Sequence, residues 1–109
     1  MFEANKKFQA WRSAVALAAK LEIQAIEHLF VEPLIVTMTF HINKPKSVTR
    51  KHPAVKPDLD KLARNVNDGL VQGGLIKDDA LIVHLTLEKK YTVNGQPEGV
   101  FITIRHADE

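Results

Sequence analysis

The sequence predicts a small α+β domain with the element order α-β-α-β-β and a small mixed or antiparallel sheet. Three observations carry this reading: one long stretch with apolar residues at helical spacing, three shorter stretches of alternating polarity, and a proline-rich break followed by a second, shorter helical stretch. At 109 residues and 45% hydrophobic content the chain suits a single domain, residues 1–109, with a real core. A domain of this size buries only about two-thirds of its unfolded surface, which leaves room for a subunit interface. No internal repeat or low-complexity tract divides it.

Residues 5–29 read as one helix. Phe8, Trp11, Val15, Ala18, Leu21, Ala25 and Leu29 recur every three or four positions, while Lys7, Lys20, Glu22 and Glu27 fall elsewhere. Trp11 and Phe8 thus read as core rather than as a base-stacking platform. Pro33 stops the helix, and residues 34–43 alternate as a strand. Leu34, Val36, Met38, Phe40 and Ile42 take one face, and Thr37, Thr39, His41 and Asn43 the other. Residues 44–57 contain Pro45, Pro53 and Pro57 without apolar periodicity, so they form a loop. A second helix over 59–72 carries the stripe Leu59, Leu62, Ala63, Val66 and Leu70, and Gly73-Gly74 ends it. Residues 80–91 alternate again, with Leu81, Val83, Leu85 and Leu87 expected inward. Asn94-Gly95 marks a reversal inside a longer loop, and 100–105 is the last strand.

Composition excludes several classes. There is no cysteine, hence no disulfide framework, thiolate zinc site or thiol nucleophile. No apolar run reaches the roughly 18 residues of a membrane span, and MFEANKKF passes straight into the helical pattern without a secretory signal. A cytoplasmic protein is expected. Net charge is only +2, but its distribution is uneven. Lys44, Lys46, Arg50, Lys51, Lys56, Lys61 and Arg64 lie in a segment whose only acids are Asp58 and Asp60. Such a segment concentrates positive potential where a polyanion can dock; taken alone it is also an ordinary solvated loop.

Two acidic pairs flank the second helix, Asp58 with Asp60 before it and Asp78 with Asp79 after it. Residues two apart inside a helix face different sides. Pro57 favours a helix start just beyond itself, so Asp58 is expected in an extended segment and Asp60 in the first turn, where both carboxylates can converge on a hard cation. The turn at Gly73-Gly74 is expected to return Asp79 to the mouth of the same site. Asp60, Arg64 and either Asn67 or Asp68 share one helix face, which sets Arg64 one turn from Asp60 and within reach of a bound phosphate. Helix caps and turn residues explain either acidic pair alone. A carboxylate cluster joined to a cationic clamp in a basic segment is what metal-assisted phosphate chemistry requires. The five histidines form no ligand set: His41 and His84 fall on polar strand faces, His52 in the basic loop, and His28 and His106 near element ends. Lys89, Lys90 and Tyr91 are either an extension of a nucleic-acid contact or a solvated edge.

The stretch KPDLDKLARNVNDGLVQGGLIKDDALIVHLTLEKKY resembles the core of the RusA family of Holliday-junction resolvases, common in bacteriophages and prophages. That family carries a DLDN-type motif, a lysine four residues on, an aspartate later in the helix and a DD pair before a strand. FQAWRSAVALAAK and GVFITIR extend the similarity to roughly residues 5–105. The resemblance implies a homodimer that binds four-way DNA junctions and makes paired magnesium-dependent nicks in recombination and repair, with manganese a plausible substitute. By matching position, Asp58, Asp60 and Asp79 become metal ligands and catalytic residues, Arg64 a catalytic cation, and Asp68 the helix aspartate; Asp78 is a neighbour. Lys44, Lys46, Arg50, Lys51, Lys56 and Lys61 are the expected DNA-binding residues.

Three departures from the pattern stand out. Lys61 replaces an asparagine, adding charge beside the cluster. Arg64 replaces a lysine; it grips phosphate through two donors but does not readily release a proton. The family's opening strand is expected to be missing, because the helical pattern begins within a few residues of Met1. The last two favour an alternative, a junction- or duplex-binding protein with weak or no cleavage. Paired cutting needs two sites, hence a twofold dimer; Ile35, Ile82 and Phe101 are the apolar residues expected on outward sheet faces to help form it.

Overall fold

The computed structural model describes residues 2–26 and 29–108, and side chains from residue 11 onward. The side chains of Lys7 and Phe8, and the whole of Glu27 and His28, therefore lie outside what it describes. Helix α1 spans Phe2–Ile26, strand β1 Leu34–Ile42, helix α2 Leu59–Gln72, strand β2 Ile82–Tyr91 and strand β3 Gly99–His106. The α+β class and the α-β-α-β-β order hold.

The sheet is mixed, in the order β2-β1-β3. β1 runs parallel to β2 and antiparallel to β3. A parallel pair cannot be closed by a tight turn and needs a crossover; here the basic loop and α2 supply it. The crossover fixes the direction of α2. The helix starts at the C-terminal ends of β1 and β2 and ends beside their N-terminal ends, where Phe30 bridges to Ile76.

β1 is central, and its alternation is what the sequence predicts. Leu34, Val36, Met38 and Phe40 are fully buried and Ile42 nearly so. Their partners in the core include Val15 and Ala19 of α1 and Leu62, Ala63, Val66 and Leu70 of α2. The Trp11 ring stacks on Phe40 at 5.8 Å and 17°, so the tryptophan is core. The two helices meet through small residues. A Cβ on Gly73 would stand 2.4 Å from the Ala16 carbonyl oxygen, and one on Gly69 2.9 Å from Val15. Gly74, at φ 81, takes the left-handed turn that ends the helix. Arg12 Nε donates to Asn65 Oδ1 at 3.2 Å across the same seam; Asn65 is buried, and burying an amide is tolerable only with such partners.

Two expectations about β2 are corrected. The stretch from Ala80 does not begin as strand: Asp78 accepts a hydrogen bond from Ala80 N at 2.9 Å and holds Asp79–Leu81 in a single 3-10 turn. Aspartate side chains compete with strand ladders in this way. The ladder then skips a residue, because Leu34 pairs with Ile82 and Ile35 with His84. Val83, expected inward, is the extra residue of this bulge and is 64% exposed. Ile82, expected outward, packs against the core. Phe101 is 65% exposed, on the outward face as expected. β2 and β3 are not neighbours, so Asn94-Gly95 (φ 76 at Gly95) turns the chain within a connection that passes β1. An apolar groove of about 570 Å³ remains between α1 and β3, bordered by Trp11, Ala18, Val100, Ile102 and Ile104.

Candidate functional site

The first acidic pair sits as the sequence predicts. Asp58 is the residue before α2, extended at φ −67 and ψ 142, and its carbonyl receives the first helical bond from Leu62 N at 3.1 Å. Asp60 lies in the first turn, where the helix dipole favours negative charge. An aspartate in Asp58's place ordinarily caps the helix with its side chain. This one does not. Its carboxylate instead lies 3.7 Å from Lys61 Nζ, both groups more than half exposed, a pair worth at most about 1 kcal/mol. Asp60 has no ion pair or hydrogen bond from a side chain among the described residues. Arg64, one turn further, is also exposed. Asp68 points to α1, with Arg12 at 3.8 Å, and Asn67 Oδ1 is buried without a partner.

The basic loop is fastened to the C-terminal end of β2. Lys89 Nζ donates to the carbonyl oxygens of Val55 at 2.6 Å and Pro57 at 2.9 Å. Arg50 Nη1 donates to the Tyr91 hydroxyl at 2.9 Å, and Lys44 Nζ stands 5.6 Å from the centre of the Tyr91 ring. Lys44, Lys46, Arg50, Lys51, Lys56 and Lys61 are all exposed. Lys44 and Lys46 line a shallow polar cleft of about 400 Å³ with Thr92 and Asn94. One end of the domain therefore gathers the basic loop, the two carboxylates opening α2, and Arg64.

Asp79 is elsewhere. It opens the 3-10 turn directly before β2, whereas Asp58 follows the carbonyl held by Lys89 near the far end of that strand. Helix α2 has 14 residues, about 21 Å of rise. Lys89 stands seven positions beyond Ile82, about 23 Å along a strand. Both rulers set Asp79 roughly 20 Å from Asp58 and Asp60. Among the described residues no group of three or more His, Cys, Asp or Glu side chains is placed to hold a metal ion. The expectation that Gly73-Gly74 returns Asp79 to the same site thus has no three-carboxylate group beside it among the described residues of one chain. The turn does return the chain, but to the end of the sheet where α2 finishes, because β2 runs parallel to β1. The Asp78-Asp79 pair is divided: Asp78 is spent on the turn, and Asp79 has no partner among the described residues.

Magnesium is a hard cation that keeps several waters and takes one or two carboxylates at a time. Two exposed aspartates at a helix start, neither committed to capping, fit that demand in donor chemistry. Among the described residues, histidines do not add to it. His41 pairs across the open sheet face with Lys90 and His84 with Ile35; His52 is exposed in the loop. His106 packs against Phe30 with ring centres 5.3 Å apart.

The roles of Lys89 and Tyr91 as anchors of the loop escaped the sequence. The available signal was a lysine in step with Leu85 and Leu87, on the inward side of β2.

A family model described as Endodeoxyribonuclease RusA matches residues 1–105. No curated protein matches the chain.

Proposed function

This chain belongs to the RusA family of endodeoxyribonucleases, and on that premise we propose that it is a magnesium-dependent enzyme that binds four-way DNA junctions as a homodimer and nicks paired strands. The observation that carries the reading is the uncapped start of α2. Asp58 and Asp60 stand exposed there beside Arg64 and a basic loop held in place. A cation bound at these carboxylates supplies an activated water and charge neutralisation at a scissile phosphate. Asp58 and Asp60 orient it, and Arg64, which stays charged at any working pH, grips the phosphate oxygens. Lys44, Lys46, Lys51, Lys56 and Lys61 hold neighbouring backbone, independent of sequence.

Asp79 enters from the second copy. One chain offers it about 20 Å from its own Asp58 and Asp60, but a twofold axis that sets the end of one α2 beside the start of the other supplies the partner's Asp79 to each site. Two equal sites arise, as the symmetry of a junction requires. The dimer draws on apolar surface left open, including Val83 and Phe101.

The test is a nicking assay on four-way junction, duplex and single-stranded DNA with magnesium, manganese or chelator. Cleavage restricted to branched DNA and dependent on the metal is expected. Tight junction binding without nicks under every metal would replace the reading with that of a junction-binding protein.

A further inference from the structure

We propose that Lys89 is a positioning residue for the metal-binding end of α2: its ammonium fixes the peptide that carries Asp58 and does not contact DNA. This rests on the proposed nuclease function. Lys89 lies opposite Phe40, on the side of β2 that faces the core, and is partly buried. Leu85 and Leu87 precede it on that side. Its neighbours Glu88 and Lys90 lie on the open face, with their charged groups 3.7 Å apart. A cation on the inner side is costly unless its donors are satisfied. Two of the three ammonium donors go to the carbonyls of Val55 and Pro57.

Pro57's oxygen belongs to the peptide bond whose nitrogen is Asp58's. Whatever holds that oxygen sets where the Asp58 carboxylate leaves the backbone. The preceding residues have local ties such as Ala54 N to His52 O at 2.8 Å, which shape the loop without fixing it to the sheet. Arg50's bond to Tyr91 reaches the sheet but is exposed and lies seven residues before Pro57. Lys89 is the part-buried link between a rigid strand and the last residues before the helix. With two of its three donors committed to these carbonyls, its ammonium is held toward the loop.

The experiment compares the full chain with Lys89→Met, which keeps the stem, and Lys89→Arg, which keeps charge and donors. Amide hydrogen exchange over residues 54–60, junction affinity against salt in chelator, Mn²⁺ binding by electron paramagnetic resonance, and kcat with KM are read on each. Lys89→Met is expected to speed exchange in that segment and to weaken Mn²⁺ binding about 10-fold or more. It is expected to lower kcat far more than it moves KM and to leave the salt slope unchanged. Lys89→Arg should recover most of the loss. A salt slope reduced by about 0.9, the signature of one lost phosphate contact, with kcat intact would overturn the proposal; so would unchanged exchange and Mn²⁺ binding. Exchange and Mn²⁺ binding need no turnover, so a wild type that never nicks would sink the nuclease reading and leave this one to be judged separately. Should Lys89→Met unfold, Lys89→Gln, which retains two donors without charge, carries the same comparison.

Discussion

Asp60 lies in the first turn of α2 and Asp79 in the 3-10 turn before β2, with the helix's rise of about 21 Å between the two ends of α2, while the structural logic of a carboxylate site asks for them together. Single-chain and shared sites make opposite predictions for mixed subunits. Asp60→Asn and Asp79→Asn should each abolish nicking. Mixed and allowed to exchange, half the dimers pair one of each, and each such dimer rebuilds one intact site from Asp60 of one copy and the partner's Asp79. Nicking should return to about a quarter of the wild-type number of sites, as single nicks rather than paired ones. No recovery in a mixture shown to exchange subunits would mean that each chain uses its own residues.

Removing charge at the start of α2 should separate binding from chemistry. Asp58→Asn and Asp60→Asn should each cut the nicking rate at saturating junction by about 100-fold or more, since metal-derived charge stabilisation is worth several kcal/mol and each 1.36 kcal/mol is tenfold. Junction affinity in chelator should hold or tighten, because a negative charge has been removed from a basic surface. A rate within a few-fold of wild type would take these carboxylates out of the chemistry.

Lys46 and Lys51 are exposed and make no ion pair among the described residues. Changing both to alanine should weaken binding to all DNA sequences alike and flatten the dependence of log affinity on log salt by up to about 1.8, or 0.9 per lost phosphate contact. Arg50→Ala is expected to do more, because it also releases the loop from Tyr91. Identical salt slopes would place the DNA surface elsewhere.

The helix seam predicts a stability effect remote from any DNA. Gly73→Ala sets a methyl 2.4 Å from the Ala16 carbonyl oxygen and 2.6 Å from the Ala19 Cβ. Such overpacking against backbone should cost about 1–3 kcal/mol, read as a lower denaturant midpoint. A midpoint equal to wild type would show that α1 and α2 part easily at this end.

Local patterns were legible wherever one physical constraint dominated. β1 is buried on one face throughout, so its alternation could be read directly, and α2 lies between Pro57 and Gly73-Gly74, which bound it at both ends. The place of Asp58 just outside the helix and Asp60 just inside followed from Pro57 alone. In α1 the expected stripe is offset, with Ala18, Leu21 and Ala25 exposed and Ala16 and Ala19 buried beside Val15. On the sheet, what failed depended on pairing between distant strands. Val83 and Ile82 exchanged their expected sides because of a bulge opposite Leu34 and Ile35, which nothing in residues 80–91 announces. Where Asp79 lies relative to Asp58 and Asp60 is a question of the same kind. Proximity after a turn depends on whether the next strand runs parallel or antiparallel to its neighbour, and spacing in sequence is silent about that. The acidic pairs and the family resemblance pointed to candidate site residues; spacing alone could not say how far apart one chain holds them.

The sheet order has a consequence for how the chain reaches this structure. With β1 between β2 and β3, the sheet contains no hairpin. Ladder partners of β1 in β2 are 48 or 49 positions away (Leu34 with Ile82, Ile42 with Tyr91), and in β3 from 58 to 72 (His41 with Gly99, Leu34 with His106). Only the helices are built from local contacts, so they are free to form first, while no strand gains a partner until most of the chain is collected. Folding should therefore be slow for a domain of this length, in the millisecond-to-second range of mixed and all-β topologies. Until β3 arrives, which follows β2 in synthesis, β1 has an open edge of nine residues bearing Leu34, Val36, Met38, Phe40 and Ile42. A nascent chain is thus prone to aggregate between completion of α2 and synthesis of β3.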